Sequence, residues 1–491
     1  MKNKINFYVN NNSIDKNNLW NEWYVKNKSH TYFYSYIHWA DLLNVNYEIK
    51  NIDDEVIDGE NNWYVLDLEG RVAIADISNF IIEKKLLNFI HKNENLKLMI
   101  FLPQEGMYIQ DQPFWYVTFC EKNNIPLERL YILQLAFWDF NHPTALQFLN
   151  NGRVEKCNID KVSKINWIVN KFSSMFFWTL LFHTYSSYRY IPTDNLQYKK
   201  RNKYFTFLSM SLTYGGDSYE VKFYRLYPLA KLHSDGILNK GYYSLISRMN
   251  DSWRFDSDSN RLFDKYGEET FKSSLSKMIR KLPTDSDIFK PLDKNRKDKL
   301  LKSFNKNLSR IKHEDEENIL DSAKKLLDLV PTYLSSENDE KYLKQFIYPL
   351  DPFGVNSGDF NLIIPKSEIE DSYFFVVVGS AFNATLMYSD EKQAKPLLQL
   401  QPFILLSSPG HLSFLRSMGY ETFPELFDES YDEIEDSFER IEFICKEIKR
   451  VCNMSIEELH EIYVSIFPKL VRNRERFLSN NLKNIFEEWF S

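Results

Sequence analysis

At 491 residues the chain is too long for one hydrophobic core, and two to three domains are expected. Hydrophobic residues make up 43% of it and aromatics 16%, which is ample material to bury. A formal charge of −7 argues against a general nucleic-acid binder, which carries a basic footprint. Four cysteines with no CxxC spacing argue against a zinc ribbon or a redox dithiol, so the expected setting is the reduced cytoplasm. The opening MKNKINFYVNNNS lacks the apolar core of a signal peptide. The most apolar run, Met175–Phe182, is about a third of the length needed to cross a bilayer, so no membrane span is expected.

In chain order, short apolar runs alternate with helical patterns. Ile5–Val9, Trp63–Asp67, Leu98–Leu102 and Leu130–Leu135 have the length and content of strands. Ile77–His91 and Phe114–Asn123 read as helices between them, and this alternation predicts a parallel sheet with crossover helices. Lys161–Tyr188 reads as a long aromatic helix, and the polar stretch Pro192–Lys203 is the candidate domain boundary. A second α/β unit opens with the strand Tyr204–Ser209. Asp217-Ser218-Tyr219-Glu220 has the capping-box pattern and predicts a helix running from there to His233, kinked or broken at Pro228. From Asn250 to about Asp371 the chain is charged and helical. The sheet resumes at Tyr373–Gly379 and Pro402–Leu406, and the chain after Tyr431 reads as helix to the end.

Several groups are placed where chemistry could use them. Glu391 and Lys392 stand at the expected start of a helix, where a carboxylate could hold ribose hydroxyls and a cation could face a phosphate. A solvated helix start explains the same residues. Pro409-Gly410 turns the chain from a strand into a further helix start. Arg225 offers bidentate geometry to a phosphate, with a surface ion pair as the equal alternative. Glu105, on a loop after a strand, is a candidate general base or a simple turn residue. The triplets Asp256–Asp258 and Asp285–Asp287 read as helix caps rather than metal ligands, and no metal site is expected.

Between Tyr388 and Tyr431 these pieces acquire an order. Asp390-Glu391-Lys392 is followed by Lys395-Pro396, Pro402-Phe403-Ile404 and Pro409-Gly410. Leu415-Arg416, Gly419-Tyr420-Glu421-Thr422-Phe423 and the acidic box Asp428-Glu429-Ser430-Tyr431-Asp432 complete it. The series resembles the donor side of α-1,3-fucosyltransferase-like glycosyltransferases, in particular those of large DNA viruses and phages.

That resemblance implies an α/β fold of GT-B type: two Rossmann-like domains facing across a cleft, with a helical insertion in the second and C-terminal crossing helices. The implied division is residues 1–195 for the acceptor side and 196–455 for the nucleotide-sugar side, the insertion spanning about 250–371. Residues 456–491 would pack back on the first domain. The implied activity is metal-independent, inverting transfer of a sugar from a nucleoside diphosphate to a hydroxyl acceptor, with the nucleotide sugar as substrate and no bound cofactor. Glu391 would hold the ribose, Lys392 and Arg225 the diphosphate with the Pro409–Gly410 helix start, and Glu105 would act as base. Three places depart from the pattern, the first being the loop Leu208-Ser209-Met210-Ser211-Leu212-Thr213, where a basic cluster of Asn-Arg-Arg type is usual. Asp390 replaces a Thr, and Gly379-Ser380 stand where an acidic residue is usual, with Ser380 on the nucleotide side. These changes suggest the alternative of a silent, glycosyltransferase-like binding or assembly protein of a virus or phage.

Overall fold

The computed structural model describes residues 4–9, 40, 43–56, 59–66, 80–102, 112–134, 159–168, 194–210, 212, 221–246, 291–311, 315–330, 332, 366–379, 382, 391–479 and 481–491. Two parallel sheets organise them. The first contains β1 (Ile5–Val9), β2 (Tyr47–Asn51), β3 (Asn61–Leu66), β4 (Lys97–Leu102), β5 (Leu130–Gln134) and β6 (Asn166–Ile168), in the order β2-β1-β3-β4-β5-β6. Helices α1 (Lys84–Lys92), α2 (Gln112–Lys122) and the single turn α3 (Ile159–Val162) belong to this half. The second sheet has the order β10-β9-β7-β8, from β7 (Lys203–Met210), β8 (Tyr242–Ile246), β9 (Ser372–Val378) and β10 (Phe403–Leu406). Every pairing in both sheets is parallel.

Parallel strands need crossovers, and the remaining helices supply or surround them. They are α4 (Phe223–Ser234), α5 (Lys294–Leu308), α6 (Glu316–Asp328), α7 (Lys366–Glu370), α8 (Glu391–Leu398) and α9 (His411–Ser417), then α10 (Ser437–Cys452), α11 (Ile456–Ser479) and α12 (Leu482–Trp489). Helix α4 packs against α6 and α10, whereas α8 packs against α11. Two neighbouring strands of the second sheet, the edge strand β10 and its partner β9, show the consequence. Every residue of β9 (SYFFVVV) is buried, as is every residue of β10 (FILL). A strand covered on both faces reads as a continuous apolar run rather than an alternating one.

The end of the chain lies on the first sheet. The Phe490 ring meets Phe7 edge-on at 4.9 Å and Trp63 at 5.3 Å. The Asn61 side-chain amide donates to the Phe490 carbonyl, and the Lys97 ammonium donates to the Ser491 carbonyl at 3.0 Å. One buried apolar cluster therefore runs from Phe7 and Trp63 through α12 to the second sheet.

Three expected helices differ. Lys161–Tyr188 is not one helix: α3 ends at Val162, and Asn166–Ile168 forms the edge strand β6. The Asn166 amide fixes that edge by donating to the carbonyls of Glu128 and Leu130. The helix expected from Ile77 begins at Lys84, because the Ile82 amide is held by the Asn123 side chain in a non-helical approach. The helix expected from Asp217 begins at Phe223. Lys222 donates its backbone N–H to Leu212 at 2.6 Å instead of joining a helix, and Asp217–Glu220 lie outside the described residues. Pro228 does not end α4. Its cost of about 3 kcal/mol in a helix interior is offset by ten consecutive buried residues, Phe223–Leu232.

Candidate functional site

The direction of the connections in the second sheet locates the site. From β7 the chain crosses through α4 to β8 on one side. From β9 it crosses through α8 to β10 on the other. The carboxyl ends of β7 and β9 are thus a topological switch point, where adjacent loops part and leave a crevice.

One half of this edge is the segment from α8 to Asp432. Lys392 is only 9% exposed, and residues 392–400 are all buried, so α8 begins inside the protein rather than on a solvated surface. The side chain of Glu391, and the whole of Ser380 and Glu105, lie outside the described residues. After β10 the chain turns at Ser407-Ser408-Pro409-Gly410, and Gly410 takes φ +76°, which glycine adopts without a side-chain penalty. Helix α9 follows, but its leading amides are taken. The Asp432 carboxylate accepts from Leu412 N at 2.9 Å and Ser413 N at 3.0 Å, and the Asp432 carbonyl accepts from Gly410 N at 2.6 Å. Burial pushes the Asp432 carboxyl above its ordinary range despite these donors. The Pro409–Gly410 helix start, expected to face a diphosphate, is therefore closed by a side chain of the protein itself.

The rest of the acidic box is equally occupied. Glu429 accepts from Phe423 N at 2.6 Å and from Thr422 Oγ1 at 2.8 Å, and pairs with Arg416 at 3.0 Å. The Tyr431 hydroxyl accepts from Leu405 N on β10. Gly379, at the end of β9, has a packing reason. A Cβ there would come within 2.8 Å of Ser407 Oγ, which itself shares a 2.7 Å hydrogen bond with His411 Nδ1. No acidic side chain fits at 379 while that pair is in place.

Arg440, on the first turn of α10, ties the halves of the edge together. It is 1% exposed and donates to the carbonyls of Ser407, Phe382, Ile434 and Glu435 at 2.6–3.1 Å. Burial lowers its pKa to about 10. Beside it opens a cavity of about 470 Å³, whose walls include Tyr224, Phe382, Phe438, Lys306 and Arg310. Tyr224 follows the connection out of β7, and Phe382 follows β9, so the cavity lies at the switch point. Their rings stack at 5.0 Å and 10°. The Arg310 guanidinium covers the Phe438 ring at 4.4 Å. Among the described residues lining the cavity are two cations and no carboxylate.

Compared with protein-family models, with characterised proteins and with solved structures, the chain matches none. The site is therefore read from its own geometry.

Arg225 is adjacent to the cavity but does not line it. It is 4% exposed in the first turn of α4, and its carbonyl accepts from Ser209 Oγ of β7 at 3.3 Å. The first turn of α4 reaches the cavity through Tyr224 rather than through Arg225. Lys306, Arg310, Phe382 and Phe438, which also line the cavity, have no place in the motif order. A local signal existed for Phe438: Asp436 caps α10 by accepting from Phe438 N and Glu439 N, which marks a helix start after the strand-end box. Lys306 and Arg310 reach the site from a different crossover, which no local pattern announces. Among the described residues no group of three or more His, Cys, Asp or Glu side chains is arranged to hold a metal.

Proposed function

We propose that this chain is a glycosyltransferase that moves a sugar from a nucleoside diphosphate to a hydroxyl acceptor, with inversion and without a metal. The observation that carries this reading is the cavity at the β7–β9 switch point, walled by aromatic rings and two cations. Its setting supports the reading: two parallel α/β sheets joined by a C-terminal helix that returns to the first, as a GT-B arrangement requires. In this proposal residues 1–195 present the acceptor, residues 196–455 hold the donor and residues 456–491 link them, in the cytoplasm.

The chemistry would rest on two contributions. Cations around the cavity would stabilise the charge that develops on the departing diphosphate, an effect strongest where water is excluded. Glu105 would take the proton of the acceptor hydroxyl as it attacks the anomeric carbon. Lys392 and Arg225, both buried, would act by shaping the donor side and its local potential, with Glu391 on the ribose. The test is release of nucleoside diphosphate from a panel of sugar nucleotides, with and without added glycan acceptors. Glu105→Gln is expected to slow transfer roughly 10²- to 10⁴-fold while donor binding persists. Failure of every donor to turn over would sink the reading.

A second reading has its own observation. The amides at the start of α9 are closed by Asp432, and Lys392 is buried, so this half of the edge is built as a scaffold. That favours a catalytically silent binding or assembly protein of a virus or phage. Nucleotide binding without turnover of any donor is its expected result.

A further inference from the structure

The two cations that line this cavity come from a stretch of chain that the motif order does not include. We propose that the switch-point cavity holds a nucleoside diphosphate, with Lys306 of α5 and Arg310 just past its end on the diphosphate and Tyr224, Phe382 and Phe438 along the base. The inference rests on the donor-site reading above for what the nucleotide carries.

Four observations converge on it. The volume, about 470 Å³, falls within the range of small-molecule sites, roughly 300–1,000 Å³. The described lining pairs aromatic surface with two cations and no carboxylate, which suits a planar group bearing negative charge and repels a cationic one. Lys306, in the last turn of α5, and Arg310, in the turn just past its end, line the same cavity and can address a single polyanion. Arg310 is also pre-oriented by its stacking on Phe438, which leaves the edge of its fork for bidentate contact with phosphate oxygens.

Cations in the last turn of a helix or just past it are often explained by the helix dipole alone. Here the closing carbonyls of α5 already have backbone donors: Ser309 N to Asn305 O at 3.0 Å, Arg310 N to Asn307 O at 3.1 Å and Ile311 N to Leu308 O at 2.8 Å. Neither side chain is needed as a cap. Among the described residues, no carboxylate forms an ion pair with either cation. Two exposed positive charges thus border an aromatic cavity with no counter-ion among the described residues. The neutral groups there are placed to read a base: Ser437 lines the cavity, and Asn307 uses its amide N–H on Ser303 O at 3.1 Å, which leaves its carbonyl oxygen as an acceptor.

Calorimetry on the full chain with ADP, GDP, CDP and UDP, the matching nucleosides and pyrophosphate tests this directly. One nucleoside diphosphate is expected to bind one to one, with its nucleoside and pyrophosphate each at least tenfold weaker. Lys306→Ala and Arg310→Ala, both at exposed positions, are each expected to weaken binding about tenfold to a hundredfold, the range for a lost charged hydrogen bond. Arg310→Lys should recover only part of the loss, because a point charge cannot stack or fork. Absence of binding by all four diphosphates overturns the inference, and so do variants that bind like the wild type, or pyrophosphate binding as tightly as the nucleotide. The two proposals also part company. Binding that needs Lys306 and Arg310 without sugar transfer keeps this inference and removes the transfer reading. Transfer that is undiminished in both variants does the reverse.

Discussion

The two halves of the second sheet's carboxyl edge are built on opposite plans. From Ser407 to Asp432 the polar groups are turned inward and spent on one another: Asp432 on the α9 amides, Glu429 on Phe423 and Thr422, Ser407 on His411. Around Tyr224, Phe382 and Arg310 the edge keeps open volume, aromatic surface and cations without an acidic partner among the described residues. The half richest in suggestive sequence is thus the one whose polar groups are spent on one another, and the plainer half is the one to which the proposal assigns the ligand. Buried polar groups that are fully satisfied specify structure.

Three changes would break or sharpen that contrast. The largest effect belongs to Arg440, which joins the halves. Arg440→Ala removes the donors to four carbonyls and leaves a buried void, and is expected to cost roughly 3–5 kcal/mol in urea unfolding. A loss below about 1 kcal/mol would mean that the edge is not held through this residue. Next comes Asp432→Ala, which strips the cap from α9 and should cost about 2–3 kcal/mol while leaving nucleotide affinity within about twofold. A large drop in affinity with little loss of stability would move the binding site to the α9 start.

The smallest effect is a dependence on pH. Burial raises the pKa of Asp235, but its hydrogen bonds to Lys231 at 2.7 Å and Lys449 at 3.1 Å outweigh that and hold the carboxyl below its ordinary value. A depressed folded-state pKa contributes stability that is present above the unfolded value, about 3.9, and lost as pH falls through the folded one. Asp235→Asn should therefore lower stability at neutral pH and flatten the acid limb of a stability–pH curve below about pH 4. An unchanged acid limb would show that the α4–α10 tie contributes nothing.

The fold was legible where burial is two-sided. β9 and β10 announce themselves as unbroken apolar runs, and β1, β3, β4 and β5 fall within two residues of their expected positions. Short edge strands were not: β2 and β6 are half-buried throughout, and pairing rather than composition makes them strands. Helix starts failed at Asp217 and Ile77 because long-range bonds, Lys222 to Leu212 and Ile82 to Asn123, decide where each helix begins. The site followed the same rule. Arg225, Lys392 and the Pro409–Gly410 turn are local signals, and they mark the framework of the edge. The cavity wall joins residues from after β7, from after β9, from α5 and from α10, and only the folded chain brings those together.

The central claim is that the ligand occupies the switch-point cavity. A crystal structure grown with the tightest-binding nucleoside diphosphate tests it most directly. The account predicts density for the diphosphate within hydrogen-bonding distance of Lys306 and Arg310 and for the base against Phe438 or the Tyr224–Phe382 pair. Density at the Pro409–Gly410 turn with Asp432 displaced, or an empty cavity at saturating nucleotide, would contradict it.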